Sequence, residues 1–286
     1  MTTMRARALL AAVAAMAAAL AGPRAAASDL KFGFTPVLGQ EKTRAEFGPL
    51  MAYLSSAMGR RVVLYVAWDY GDLRTQMEAG AVDIGSYSPF AYVDAARGGK
   101  VRIIAQSLIE GSGTYKGLIV ARKDSGLKAL ADLAGRRFAF VDPKSASGYV
   151  YPRAMLLESG IRPDKAFSEV VFAGDHGRVI AAVLDRRVDA GAVYDGAVRI
   201  AKASGLKTED LAVLASTEPI PHDAIAVRAD IDPGLAAQVQ SALVGMSGTP
   251  DGRRVIAGST KGLTGFAVAA DSLYEPVRRT ALAAGL

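Results

Sequence analysis

The chain has 286 residues, with 34 Lys and Arg against 28 Asp and Glu and a formal net charge of +6. It has no cysteine, which excludes a disulfide scaffold, a thiolate metal site, a cysteine nucleophile and a lipid-modified N-terminal Cys. No Lys/Arg run or basic stripe interleaved with aromatics is present, so nucleic acid is not an expected partner.

Residues 1–27 read as an export signal: Arg5 and Arg7, an apolar run from Ala8 to Ala21, then Ala25-Ala26-Ala27 as the cleavage site. The run of about 14 apolar residues falls short of the roughly 20 that span a bilayer. Cleavage after Ala27 takes three arginines and no acid, leaving 259 residues at +3 in an expected periplasmic location.

Beyond the signal, short β-branched or aromatic runs alternate with amphipathic stretches. Strands are predicted at 30–34, 62–66, 82–85, 101–105, 116–121, 137–141, 170–173, 190–193, 211–214 and 224–227. Helices are predicted at 40–58, 70–79, 88–96, 129–134, 149–159, 176–186, 196–204 and 233–246. Such alternation argues for an α/β protein with mostly parallel sheets.

A weak internal repeat adds a second level. Phe32-Gly33-Phe34 recurs as Phe138-Ala139-Phe140, and Val82-Asp83-Ile84-Gly85 recurs as Val188-Asp189-Ala190-Gly191, both at an offset of 106. Two lobes of similar build follow, and Asp83 and Asp189 are expected to brace strand starts. Open α/β sheets offer ligand sites beyond the carboxyl ends of their strands, so the site is expected in the cleft between lobes.

The most informative segment is Val141 to Pro152, V-D-P-K-S-A-S-G-Y-V-Y-P. A strand runs into a turn with two hydroxyls and a glycine, and a helix follows. Backbone N–H groups in a first helical turn lack partners, and serine hydroxyls there point the same way, which suits a small oxyanion. An ordinary N-cap serine is the alternative reading.

These landmarks resemble the periplasmic phosphate/phosphite/phosphonate-binding (PhnD-like) family of ABC-importer solute receptors, over nearly all of the chain beyond the signal. The resemblance rests on F-G-F-T-P-V at Phe32–Val37, F-G-P-L-M-A-Y-L-S at Phe47–Ser55 and Asp69-Tyr70. It continues through V-D-I-G-S-Y-S-P-F-A-Y-V at Val82–Val93, D-L-A-G at Asp132–Gly135, V-D-P-K-S-A-S-G at Val141–Gly148 and F-A-G-D-H at Phe172–His176. It implies a two-lobed type II binding protein, each lobe a mostly parallel sheet flanked by helices. Lobe 1 is expected to hold residues 28–115 and 222–286, and lobe 2 residues 116–221.

The resemblance also implies a ligand shell. Ser145 and Ser147 match the hydroxyl pair at the helix start, Ala146 stands where the family usually has Thr, and His176 matches a histidine on the facing turn. Tyr70 and Tyr87 match first-lobe phenols. Asp223 stands where aminoalkylphosphonate receptors place an acid for the ligand amine, and Asp195 at their second acid. A nearby anion is expected to favour the protonated form of His176. His222 is expected to be exposed, Lys144 to point to solvent, and Tyr115, Tyr149 and Tyr194 to pack.

The expected function is capture of a phosphorus oxyanion for an ABC permease by a monomeric clamp, with no cofactor or metal. Two alternatives share its closure chemistry: a sensor for a membrane histidine kinase, and a receptor for another oxyanion such as a sulfonate. Ser145 or Ser147 with His176 and Asp195 could form a hydrolase triad. The chain has no G-x-S-x-G elbow, so an enzyme is not expected.

Overall fold

The computed structural model describes residues 28–286, so the export signal read in residues 1–27 lies outside the described residues. Two sheets form the frame. The first holds β1 (Leu30–Phe34), β2 (Val62–Val66), β3 (Ile84–Tyr87), β4 (Val101–Ile109), β12 (Ala224–Arg228) and β13 (Leu263–Val268), in the order β13-β4-β12-β3-β1-β2. The second holds β6 (Gly117–Arg122), β7 (Arg137–Phe140), β8 (Glu169–Phe172), β9 (Ala190–Tyr194) and β10 (Leu211–Ser216), in the order β10-β6-β9-β7-β8. A short antiparallel ribbon of β5 (Thr114–Tyr115) and β11 (Ile220–Pro221) lies where the chain passes between the sheets and returns.

Both sheets are mixed, where mostly parallel ones were expected. β1 pairs in parallel with β2 and β3, and β7 with β8 and β9. β12 and β6, by contrast, run against their neighbours. Each is the strand by which the chain enters its sheet from the ribbon. It therefore starts at the end where the parallel strands finish.

The internal repeat is one of structure. Phe32 lies opposite Ile84 and Gly33 opposite Gly85, and 106 residues later Phe138 lies opposite Ala190 and Ala139 opposite Gly191. Asp83 accepts the Lys31 N–H at 2.9 Å, and Asp189 accepts the Arg137 N–H at 2.8 Å. The same two strands, in the same register, are braced by the same aspartate.

Helices cover the sheets. α1 (Gln40–Met58) keeps its predicted limits, burying Phe47, Leu50, Met51 and Leu54 on one face. Gly59, at φ 59°, ends it by turning its N–H back to the Ser55 and Ser56 carbonyls. α2 (Asp72–Glu78), α3 (Pro89–Ala96), α4 (Tyr151–Glu158), α5 (Pro163–Ala166), α6 (His176–Leu184), α7 (Asp195–Ala203) and α8 (Pro233–Val244) follow. The stretch expected to be helical at 129–134 is a 3₁₀ turn at Leu130–Leu133. Beyond Met246, where no element was predicted, the chain forms α9 (Pro250–Ala257), β13 and α10 (Glu275–Ala283). α10 buries Val277 and Ala281 along its inner face.

Four apolar clusters form the core. One packs Phe32, Phe34, Leu50, Leu54, Val239 and Leu243 between the first sheet and helices α1 and α8. Another joins Leu73, Met77, Tyr87 and Phe90 to Ala146, Val150 and Tyr151, which follow β7 of the second sheet. The two halves therefore share an apolar contact at one end of the cleft. Within it the Tyr87 ring folds back over Gly85, where a Cβ would lie 2.5 Å from Tyr87 Cε2. Gly85→Ala is expected to cost about 1–3 kcal/mol by overpacking. Denaturant unfolding checks this, and adding Tyr87→Leu should recover part of the loss if the ring is the obstacle.

Candidate ligand-binding cleft

A cavity of ≈ 440 Å³ opens between the sheets, lined by residues that follow the strand ends of both and by the connecting ribbon. Its second-lobe wall is the turn after β7. The Val141 N–H bonds to the Gly148 carbonyl at 3.1 Å, which pinches the turn closed. Inside it, Asp142 accepts the Lys144 N–H on its side chain at 2.7 Å and the Ser145 N–H on its carbonyl at 2.9 Å. The following turn, Ala146–Val150, is widened to π geometry, and the Val150 N–H reaches the Ser145 carbonyl at 3.0 Å. A Cβ at Gly148 would lie 2.4 Å from Val141 Cγ2, so only glycine fits.

That geometry leaves donors free. Ser145 Oγ accepts the Gly148 N–H at 3.0 Å and keeps its own proton to donate. Ser147 lines the cavity, buried to 2 % exposure, and its N–H and that of Ala146 have no acceptor among the described residues. The Ala146 methyl turns into the shared apolar cluster and does not line the cavity.

His176 opens α6 and is buried. Its Nδ1 accepts the Tyr194 N–H at 3.2 Å, which assigns the ring proton to Nε2 and makes that nitrogen the donor to the cavity. Burial, then the Lys261 charge, lowers its pKa from 6.5 to about 3. Without an anion beside it the ring is neutral, and the protonation expected with a bound anion is a separate state. A neutral ring still donates.

Tyr70, from the turn before α2, lies on the wall with its hydroxyl buried and unpartnered, as does Tyr194 at the end of β9. Burial raises both phenols well above the usual range, so each stays protonated. Tyr194 was expected only to pack. Tyr87 does not line the cavity: its ring lies in the apolar cluster over Gly85, although the next residue, Ser88, is on the wall. Thus Ser145, Ser147, Tyr70, His176, Asp195 and Asp223 come together, and Tyr87 does not.

The acids differ from expectation. Asp195 is exposed, and its carboxylate is engaged by the backbone N–H groups of Lys116, at 3.0 Å, and Gly196, at 2.8 Å. It braces the passage out of the ribbon. Asp223 is buried, and its carboxylate is paired with the Lys261 ammonium. The amine it was expected to read on a ligand is already present in the chain.

Other residues on the wall were missed or misplaced by sequence reasoning. His222 is buried, not exposed, and its ring stacks on Tyr115 with centroids 4.8 Å apart. Both line the cavity from the ribbon. Lys144 turns from solvent to pair with Asp94 of α3, across the cleft. Arg199 of α7 donates to the carbonyls of Thr260 at 2.9 Å and Lys261 at 3.0 Å, a second tie between the halves. Arg199 and Lys261 stand in segments without local motifs, and only their partners far along the chain reveal them.

Residues 32–274 match the family described as ABC transporter, phosphonate, periplasmic substrate-binding protein, and the chain belongs to that family. A phosphate-import protein PhnD of Mycolicibacterium smegmatis is 32% identical over 170 residues, covering 56% of this chain and 53% of that protein. The chain thus matches about half the length of that relative. The crystal structure of a binding protein component of an ABC phosphonate transporter from Pseudomonas aeruginosa superimposes with a TM-score of 0.83 at 23% identity, covering 90% of this chain and 86% of that one. PhnD1 from Prochlorococcus marinus in complex with methylphosphonate gives 0.78 at 20% identity, covering 88% and 96%. The fold is that of a two-lobed type II periplasmic binding protein.

The buried neutral imidazole of His176 has a thermodynamic consequence. Below pH 6.5 the unfolded chain takes up a proton that the folded ring refuses until about pH 3, so stability falls as pH drops through that window. The slope is at most about 1.4 kcal/mol per pH unit from this residue. Urea unfolding at pH 7 and pH 4.5 should show a smaller loss for His176→Asn than for the unaltered protein.

Proposed function

We propose that this chain is the solute-binding component of an importer that captures a small phosphorus oxyanion: a phosphonate, phosphite or phosphate. The observation that carries the reading is the set of cavity-lining donors without acceptors among the described residues: the Ser147 N–H and the Tyr70 and Tyr194 hydroxyls. Ser145 Oγ, Ser147 Oγ and His176 Nε2 add to it. A tetrahedral oxyanion presents three oxygens in separate directions, and a planar carboxylate presents two. Donors arriving from both halves suit the former.

Binding follows from the chemistry of these groups. Hydrogen bonds to an ionised acceptor are worth roughly 1.5–3 kcal/mol each. These donors already line the cavity, so little rearrangement of the protein is needed to make the new bonds. The family description, an ABC-transporter periplasmic substrate-binding protein, supports delivery of the captured anion by a closed clamp to a membrane permease. The relatives' ligands agree with the chemistry, since one imports phosphate and another holds methylphosphonate. The serines and His176 act as anion ligands, not as nucleophile and base, because the Asp195 carboxylate accepts Lys116 and Gly196 N–H groups and makes no bond to the imidazole.

The division into lobes is part of the same proposal. Residues 28–115 with 222–286 form one jaw and 116–221 the other, with Tyr115 and Pro221 on the ribbon as the last hinge residues. Closure brings the turn at 145–148 and His176 against the wall that carries Tyr70, Asp223 and Lys261.

Isothermal titration should show micromolar or tighter binding of at least one of phosphite, phosphate and methylphosphonate. Ser147→Ala and His176→Ala should each weaken it tenfold or more, the loss of about 1.4 kcal/mol or more. No heat with any of the three anions would reject the reading, and unaltered affinity in both variants would move the site elsewhere.

A further inference from the structure

We propose that Lys261 is a built-in ammonium that fills the cation position beside Asp223, so that the cleft takes phosphorus oxyanions without an amino group and rejects those that carry one. The inference rests on the phosphorus-oxyanion reading and narrows its ligand class. Asp223 and Lys261 both line the cavity, with side chains only 12% and 7% exposed. A carboxylate so far from water needs a cation beside it. Lys261 supplies one, and its Nζ also lies 6.0 Å from the centre of the Phe47 ring.

The lysine is held in place by its backbone. Glu46 of α1 accepts the N–H of Thr260 at 3.0 Å and that of Lys261 at 3.1 Å. Arg199 takes the Thr260 and Lys261 carbonyls from the opposite half. The segment carrying Lys261 is thus fixed from both sides of the cleft, and its side chain has little freedom to leave Asp223.

A ligand ammonium would have to share this carboxylate with Lys261 or displace it. Sharing sets two positive charges against each other in a poorly solvated pocket, and displacement buries the lysine charge without a partner. An uncharged substituent meets neither penalty. Val37 and Ile109 on the same wall offer apolar surface for a short alkyl group.

Two ligands of equal length separate the cases: 2-aminoethylphosphonate and propylphosphonate. By isothermal titration the unaltered protein should bind propylphosphonate at least tenfold more tightly. Lys261→Ala, which uncovers the carboxylate, should move the affinity ratio at least tenfold toward 2-aminoethylphosphonate. Lys261→Ala with Asp223→Asn should abolish that shift. Circular dichroism monitors folding, and should the single variant fail to fold, the ratio in the unaltered protein decides. Preference of the unaltered protein for the aminated ligand overturns the proposal, as does a ratio unmoved in a folded Lys261→Ala. Firm propylphosphonate binding with an unmoved ratio overturns this inference alone. Silence of the unaltered protein toward every phosphorus oxyanion overturns it together with the function on which it rests.

Discussion

A buried donor without an acceptor is costly, and the cleft gathers several. Tyr70 and Tyr194 bury hydroxyls with no partner, and the first turn after β7 leaves two backbone N–H groups unmade. Each such group costs about 1–3 kcal/mol when kept from water. A fold keeps such groups only if its other contacts outweigh the cost, and a ligand that accepts from them offsets it. The remaining architecture serves this constraint. The Val141–Gly148 pinch, the widened π turn and the bare Cα of Gly148 hold the N–H groups outward, where a regular helix start capped by its own serines would have used more of them.

The twofold plan of the chain explains how both walls come to face one cavity. In each half, two parallel strands carry the same aspartate brace and the same register, and a third strand enters from the ribbon in the opposite direction. That third strand begins where the others end, so the ribbon and the ligand wall lie at the same edge of each sheet. Tyr115 and His222, stacked on the ribbon, then sit on the cavity wall although they belong to the connection.

Much of this plan was legible in the sequence because it is written locally. α1 keeps its limits at 40–58; the strand-turn-helix at 141–152 has its hydroxyls; the repeat has two landmarks at one offset. Tyr87 misled because strand position alone does not say where an aromatic ring folds, and the missing Cβ of Gly85 gave it a seat in the core. His222 misled because a histidine between loops looks solvated until Tyr115, far along the chain, covers it. Lys261 gave no signal at all. Its meaning comes from Asp223, Glu46 and Arg199, which only the folded chain brings near it.

The charge pattern of the cleft decides what kind of attraction holds an anion there. Lys261 is neutralised by Asp223, and Arg199 is engaged by Glu110 at 3.1 Å and by two carbonyls. His176 is kept neutral by burial and by the nearby Lys261 charge. Among the described residues no cation on the wall stands uncompensated, so on the proposed reading an arriving anion meets mainly dipoles. Dipoles fixed in a poorly solvated site are little screened by salt, whereas long-range attraction fades within about 8 Å at physiological ionic strength. They also act only at contact, where the direction of every donor counts. A site built this way discriminates by shape and by hydrogen-bond count, and it leaves the nearby Asp223–Lys261 pair to discriminate by charge.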